Sequence, residues 1–218
     1  ALLTAGTKKI IRDGKRVPFL VTQKVEFELT LGETASYEEV DGTTIPASWE
    51  KAVDEVLSHQ AKPTTVMVMG DVDSGKTSLS TYLANKALRE KRRVAIVDAD
   101  LGQADIGPPS TIGFSRLTKL VTDPFEVGAE NASFLGVTSP SGAVPKVIEA
   151  LVRMKEEVLK KGPVDVLIVN TDGWVEGEDA VRYKVELVDR AKPDIVVGVQ
   201  QEDELTLLLS TIKQRKVI

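Results

Sequence analysis

The sequence contains no cysteine and a single histidine, His59. The first absence excludes disulfides, thiolate catalysis and any cysteine-built zinc or iron–sulfur centre. The second excludes histidine-pair metal sites and makes imidazole catalysis a poor candidate. Long apolar runs are also missing. The stretch from Val164 to Val169 is interrupted by Asp165, and a membrane-spanning helix needs about 20 apolar residues. The start, Ala1-Leu2-Leu3-Thr4, lacks the charged opening and apolar core of a signal peptide, and the missing initiator Met points to processing or an incomplete chain. A cytoplasmic protein with no membrane association is the expectation. The net charge of −5 argues against broad coating of nucleic acid, though not against a local basic groove.

What is present is enough apolar material for a core. Hydrophobic residues make up 42% of 218 positions, which excludes wholesale disorder. At about 150 residues per domain, that length predicts one large domain, or one with a smaller satellite. Two textures divide the chain. Residues 1–62 are expected to form a β-rich N-terminal domain, because Val25-Glu26-Phe27-Glu28-Leu29 alternates strictly and Gly14, Gly32, Asp41-Gly42 and Pro46 punctuate as turns. Trp49, Val53, Val56 and Leu57 then fall on helical spacing, and Ala61-Lys62-Pro63 reads as a connector.

From residue 63 to 218, short apolar runs alternate with amphipathic stretches. Val66–Met69, Val94–Val97, Val166–Val169 and Ile195–Val199 read as strands, with Ser133–Val137 a weaker one. Lys76–Arg89, Ala143–Leu159 and Glu178–Ala191 read as helices. Strands without alternation are covered on both faces, as in a parallel sheet. The predicted fold class is therefore α/β with a mostly parallel, doubly wound sheet, and the run Gly70-Asp71-Val72-Asp73-Ser74-Gly75-Lys76-Thr77 after its first strand makes it a P-loop NTPase domain. No internal repeat or low-complexity segment is visible.

Gly70-Asp71-Val72-Asp73-Ser74-Gly75-Lys76-Thr77 matches G-x-x-x-x-G-K-[ST] in full, after a buried strand and opening a helix. Glycines there let backbone N–H groups turn inward on a phosphate, and the helix N-terminus adds partial positive charge. Gly70, Asp73, Ser74, Gly75, Lys76, Thr77 and Ser78 are the candidate nucleotide-binding residues. Lys76 can reach the β and γ phosphates, and the Thr77 hydroxyl can ligate Mg²⁺. Side chains of such a loop usually point outward. Asp73 could meet a substrate hydroxyl or metal-bound water, or simply cap local N–H groups.

Val94–Val97 leads into Asp98-Ala99-Asp100-Leu101-Gly102-Gln103. In doubly wound sheets ligands lie beyond the carboxyl ends of strands. Asp98 and Asp100 are therefore candidates to hold Mg²⁺ through water or to accept a proton from an attacking hydroxyl. They reach one site together if the strand is still extended, and diverge if it has turned. A pair that merely caps the loop is the competing reading.

Four segments, in order, resemble the polynucleotide 5′-hydroxyl kinases, a family of archaeal RNA kinases with eukaryotic relatives in messenger-RNA cleavage and ribosomal-RNA processing. They are the phosphate loop, Asp98–Gln103, Gly136-Val137-Thr138-Ser139-Pro140, and Asn170-Thr171-Asp172-Gly173-Trp174-Val175-Glu176-Gly177. Ile45-Pro46-Ala47-Ser48-Trp49 resembles the family's approach to the kinase domain. The resemblance implies ATP-dependent phosphorylation of the 5′-hydroxyl end of RNA, or DNA, with ATP and Mg²⁺ as cofactors. It implies catalytic roles for Lys76, Asp98 and Asp100, with Asp100 as the base, and a metal set of Thr77, Asp98 and Asp100. It also implies an acceptor site of Gln103, Thr171, Gly173 and Trp174. The indole offers a stacking surface for a base, whereas a buried Trp with a satisfied N–H is its bland counterpart. The family's arginine-bearing lid does not map onto Glu202–Ile218, and its C-terminal β domain has no counterpart here. Two other classes stay open: an NTPase switch or assembly factor without an RNA acceptor, and a nucleotide-bound scaffold with little turnover. Protein partners are not assigned.

The remaining features have plainer readings. Glu90-Lys91-Arg92-Arg93 precedes a strand, so it lies at the sheet end away from the phosphate loop and reads as a solvated face. Lys8, Lys9, Arg12, Lys15 and Arg16 could contact RNA or water. His59 reads as a surface or interface residue, and Met67 and Met69 as core. Trp49 is expected to pack the two domains together or to meet a nucleotide base.

Overall fold

Runs of β-branched and apolar residues form the centre of a seven-stranded sheet in the computed structural model, which describes residues 6–11, 16–21 and 23–218. The elements in chain order are α1 (Ala47–Leu57), β1 (Thr64–Gly70), α2 (Lys76–Arg89), β2 (Val94–Ala99), β3 (Thr111–Leu117), β4 (Asn131–Phe134), α3 (Val144–Lys160), β5 (Val166–Thr171), α4 (Glu178–Ala191), β6 (Ile195–Val199), α5 (Thr206–Thr211) and β7 (Lys216–Val217). The strand order is β4-β3-β2-β5-β1-β6-β7. From β2 to β7 all pairings are parallel, while β3 and β4 add an antiparallel edge.

Every residue of β1, β2 and β5 is buried, as expected where helices cover both faces. The pleat divides them cleanly. Met67, Met69, Leu167 and Val169 join the cluster under α3 and α4. Val66, Val68, Val166 and Ile168 join the cluster under α1 and α2. In α3 the buried residues Val147, Leu151, Met154 and Val158 recur every three or four positions, a single apolar stripe laid on the sheet.

Two expectations about the N-terminal part change. The described residues before α1 form no strand, and Val25, Phe27 and Leu29 are 52%, 47% and 52% exposed. Alternation supplies a face to bury, but a strand also needs a hydrogen-bonded neighbour and a covering layer, and neither forms among the described residues there. A boundary at 62/63 would also cut through a packed core, because Val53, Val56 and Leu57 of α1 share a cluster with Val66, Leu79 and Leu83. Arg12 and Lys15 of the basic run lie outside the described residues. Strand β3 was not expected from the sequence. Gly113 and Arg116 interrupt its apolar pattern, and Gly113 is required because a Cβ there would lie 2.3 Å from the Ile106 carbonyl oxygen.

Parallel strands point their carboxyl ends to one side. Since β5 lies between β2 and β1, the turn after β5 emerges between the phosphate loop and the loop carrying Asp100.

Candidate active site

The phosphate loop joins β1 to α2 with almost no side-chain scaffolding of its own. Gly70 is fixed by crowding, since a Cβ would meet Ser74 Oγ and the Val199 carbonyl, both at 2.4 Å. Gly75 has φ +103, a conformation natural to glycine. Asp73, at φ +57, has its side chain exposed, as does Ser78. Ser74 Oγ is buried without a hydrogen-bond partner. Lys76 is 6% exposed, and its ammonium donates to the Asp71 carbonyl at 2.6 Å. Burial lowers its pKa, while Asp100, Asp172, Asp71 and Asp73 act in the opposite sense. The loop therefore places a desolvated cation among carboxylates, at the start of α2.

The two carboxylates after β2 part company, because the chain has already turned. Asp98 is 2% exposed. Its Oδ2 accepts from the amides of Asp105 at 2.6 Å and Ile106 at 3.0 Å. Its Oδ1 accepts from the Asp100 amide at 3.3 Å and from Asn170 Nδ2 at 3.2 Å. Four donors use up the acceptor capacity of one carboxylate, so Asp98 shapes the 100–106 loop and has no lone pair to spare for a metal or its water. Burial pushes its pKa up to about 6 against the pull of those bonds. Asp100 is half-buried. Among the described residues only its Oδ1 is engaged, by the Gly102 and Gln103 amides at 3.1 and 3.0 Å. It faces the cleft; Asp98 does not.

Asn170 was not singled out for chemistry in the sequence, yet it links these groups. It is the register partner of Asp98, so both side chains rise on the same side of the sheet. Its Nδ2 lies 3.4 Å from Thr77 Oγ1, and its Oδ1 is buried without a partner. The Thr77 hydroxyl and, on the neighbouring Asn170 side chain, an amide oxygen without a partner among the described residues are oxygen donors of the kind that suits a hard cation such as Mg²⁺, which needs few protein ligands when phosphate supplies the rest. The chain's residues therefore fit the ion through Thr77 and Asn170, with Asp98 orienting Asn170.

The turn after β5 rearranges the expected acceptor residues. Thr171 is fully buried; its hydroxyl donates to the Val68 carbonyl at 2.9 Å and accepts from Lys184 at 3.2 Å. It is a core bridge between β5 and β1 and does not face the cleft. Gly173 presses on the phosphate loop, where a Cβ would lie 2.6 Å from Val72 Cγ2 and 2.7 Å from the Val72 amide nitrogen. Trp174 is half-buried and stacks on Tyr183, with ring centroids 5.7 Å apart and planes at 22°. A cleft of about 330 Å³ lies between these parts, lined by Val72, Asp100, Gln103, Ser139, Gly173 and Trp174 among others. Gln103, Gly173 and Trp174 are thus brought together with Asp100.

A second group that sequence reasoning missed lies beneath this turn. Lys184 is fully buried and pairs with Asp172, Nζ to Oδ1 at 3.0 Å. Burial lowers the Lys184 pKa, opposed mainly by Asp172. Tyr183 donates to Asp172 Oδ2 at 2.7 Å, and burial followed by the Asp172 charge raises its pKa well above the phenol range, so it stays a donor. The adjacent letters Tyr183-Lys184 inside an amphipathic helix were the available signal.

The plainer features find partners within the protein. Arg93 lies at the opposite end of the sheet and grips Asp165 through Nη2 at 2.6 Å and Nε at 2.8 Å, which depresses that carboxyl. His59 Nδ1 accepts from the Ala61 amide at 3.3 Å. Lys9 pairs with Glu126 at 2.5 Å. Trp49 sits against the phosphate loop, 3.1 Å from where a Gly75 Cβ would be.

The chain is similar in sequence and fold to known proteins. Residues 70–218 match the family model described as mRNA cleavage and polyadenylation factor CLP1 P-loop. A polyribonucleotide 5′-hydroxyl-kinase of Pyrococcus horikoshii is 34% identical over 155 residues, 71% of this chain and 42% of that protein. One of Methanocaldococcus jannaschii is 33% identical over 175 residues, covering 79% and 47%. A CLP1 homolog of Brugia malayi is 28% identical over 215 residues, covering 89% and 49%. The solved structure of a wild-type Clp1p–Pcf11p complex aligns with a TM-score of 0.62 at 15% identity, over 76% of this chain and 44% of that one, which shows a shared fold. The chain spans about half the length of the curated relatives it matches.

Proposed function

This chain belongs to the CLP1 P-loop family, and we propose that it transfers the γ-phosphoryl group of ATP to the 5′-hydroxyl end of RNA, in RNA processing or repair. Nucleotide binding comes with the family's phosphate loop. The observation that carries the acceptor side is the cleft itself: Asp100, Gln103 and Trp174 line a space whose floor, at Gly173 and Val72, is shared with the phosphate loop. Donor and acceptor sites are therefore neighbours.

The roles follow from position. Loop N–H groups and Lys76 hold the β and γ phosphates. Thr77 and Asn170 would hold Mg²⁺, which supplies charge neutralisation on those phosphates. Asp100 accepts the proton of the attacking 5′-hydroxyl as the new O–P bond forms and the bond to the β-phosphate oxygen breaks. Trp174 stacks on a terminal base, worth about 1–3 kcal/mol. Alignment and charge stabilisation provide most of the rate, as is usual for phosphoryl transfer.

Incubation with γ-labelled ATP and matched RNA or DNA ending in a 5′-hydroxyl or a 5′-phosphate tests the reading. Label on 5′-hydroxyl RNA and none on 5′-phosphate RNA is expected. Free labelled phosphate without labelled RNA would instead indicate an NTPase that lacks a polynucleotide acceptor.

A further inference from the structure

The turn carrying Trp174 is anchored from below by a helix. Asp172, 4% exposed, is the hub. Its Oδ1 accepts from the Trp174 amide at 3.0 Å and from Lys184 Nζ at 3.0 Å, and its Oδ2 accepts from the Tyr183 hydroxyl at 2.7 Å. Lys184 also donates to the Asp172 carbonyl at 2.8 Å and the Thr171 hydroxyl at 3.2 Å. Its three donors are all spent inside the protein, so Lys184 cannot serve a phosphate from where it sits. A buried ion pair adds little net stability compared with apolar packing of the same volume. What this one does visibly is fix a backbone amide. Tyr183 adds a second hold, because the ring whose hydroxyl grips Asp172 is the ring on which the Trp174 indole stacks. Both the main chain and the side chain of Trp174 are thus tied to α4. On the other side, Gly173 rests against Val72 of the phosphate loop, which fixes the start of the turn independently of α4.

We propose that Asp172 and Tyr183 are positioning residues that set the Trp174 indole at the wall of the acceptor cleft, so that α4 decides where the RNA end stacks. The assignment of RNA to that cleft rests on the function proposed above; the anchoring of Trp174 does not.

The test separates the two. Asp172→Asn strands Lys184 as a buried charge and can fail to fold, so Tyr183 is the residue to vary. Tyr183→Phe keeps the stacked ring and deletes the hydrogen bond; Tyr183→Leu deletes both. In a Trp49→Phe background Trp174 is the sole tryptophan of the chain, and its acrylamide quenching reports its mobility directly. Quenching should rise from parent to Phe to Leu. The KM for 5′-hydroxyl RNA should rise about 3- to 10-fold in Tyr183→Phe, the range one hydrogen bond supports, with the KM for ATP and the kcat nearly unmoved. Unchanged quenching in both variants overturns the proposal. A parallel rise of both KM values with a fall in melting temperature also overturns it, since that is general loosening. Raised quenching in a protein that phosphorylates no RNA upholds the anchoring and removes the kinase reading instead.

Discussion

The two loops that face each other across the cleft are built by different means. Residues 70–77 are held by glycine conformations, close packing and bonds within the loop itself, with Asp73 exposed. Residues 171–174 are held through side chains, a fully buried lysine and a stacked tyrosine of α4 meeting the buried carboxylate of Asp172. The first loop offers its backbone to a phosphate, whose shape never varies. The second must present one particular ring at one place, and a backbone turn alone does not fix a ring. The difference teaches that a donor site of this kind is written locally in the chain, while the acceptor site depends on an element that arrives ten residues later.

That contrast is broken most sharply at Lys76. Lys76→Ala should reduce phosphoryl transfer by about 10³-fold or more, at the upper end of what a lost charge-stabilising group costs, without lowering the melting temperature. The hydrogen bond deleted, to the Asp71 carbonyl, lies within the loop itself and ties no core element to another. Comparable transfer by variant and parent at saturating ATP would remove the donor-site assignment. Asp100→Asn comes next. Its kcat should fall by about 10²-fold or more, as for a lost general base, with ATP affinity nearly kept, because the amide can still be positioned by the Gly102 and Gln103 backbone but cannot take a proton. An unchanged kcat would return the base role to some other group.

How much of this was legible in the sequence follows the same division. The eight-residue phosphate loop, the strand–helix alternation and the order of cleft segments were readable because each is a local pattern. The 25–29 alternation was equally local, yet it forms no strand here, since pairing is decided by partners that the pattern does not name. The roles of Asp98 and Thr171 could not be separated from those of Asp100 and Trp174 by spacing. Both pairs sit at strand ends, and only the point at which the chain turns shows that Asp98 and Thr171 face inward. Asn170 was quoted within its segment, but the approach of its Nδ2 to Thr77 and to Asp98 is a product of register between β2, β5 and β1. Tyr183 and Lys184 read as ordinary helix residues, because nothing in a helical period records which polar side chain meets a carboxylate on another element.

The contact between the loops gives the next test. Gly173→Ala adds a single carbon where the Val72 main chain already sits, 2.7 Å from its amide nitrogen. Something must move, and a displacement near 1 Å in a site that works by alignment costs about 10²-fold in rate. Both kcat and the KM for RNA should suffer, whereas a nucleotide-binding defect alone would mean that the phosphate loop, and not the turn, had yielded. Retained activity would show that the two loops move independently and that their contact is incidental.

The smallest expected effect falls on one ligand only. Trp174→Ala removes a ring but no charge, and the hydrogen bond to Asp172 survives because the donor is the backbone amide. If the indole stacks on a terminal base, RNA affinity should drop about 5- to 150-fold, the equivalent of 1–3 kcal/mol. ATP affinity should hold, since the phosphate loop belongs to a different strand–helix turn. Some stability must also be lost, because the ring is half-buried and packed on Tyr183. That loss should stay below the roughly 3–5 kcal/mol of a fully buried aromatic. The informative quantity is therefore the ratio of the two affinity changes, read with calorimetry for ATP and fluorescence anisotropy for labelled 5′-hydroxyl RNA, alongside the melting temperature. A selective loss of RNA places the ring in the acceptor site. If ATP and RNA affinities fall together and the melting temperature drops with them, the ring is a structural plug over α4, and the second loop differs from the first in how it is built but not in what it recognises.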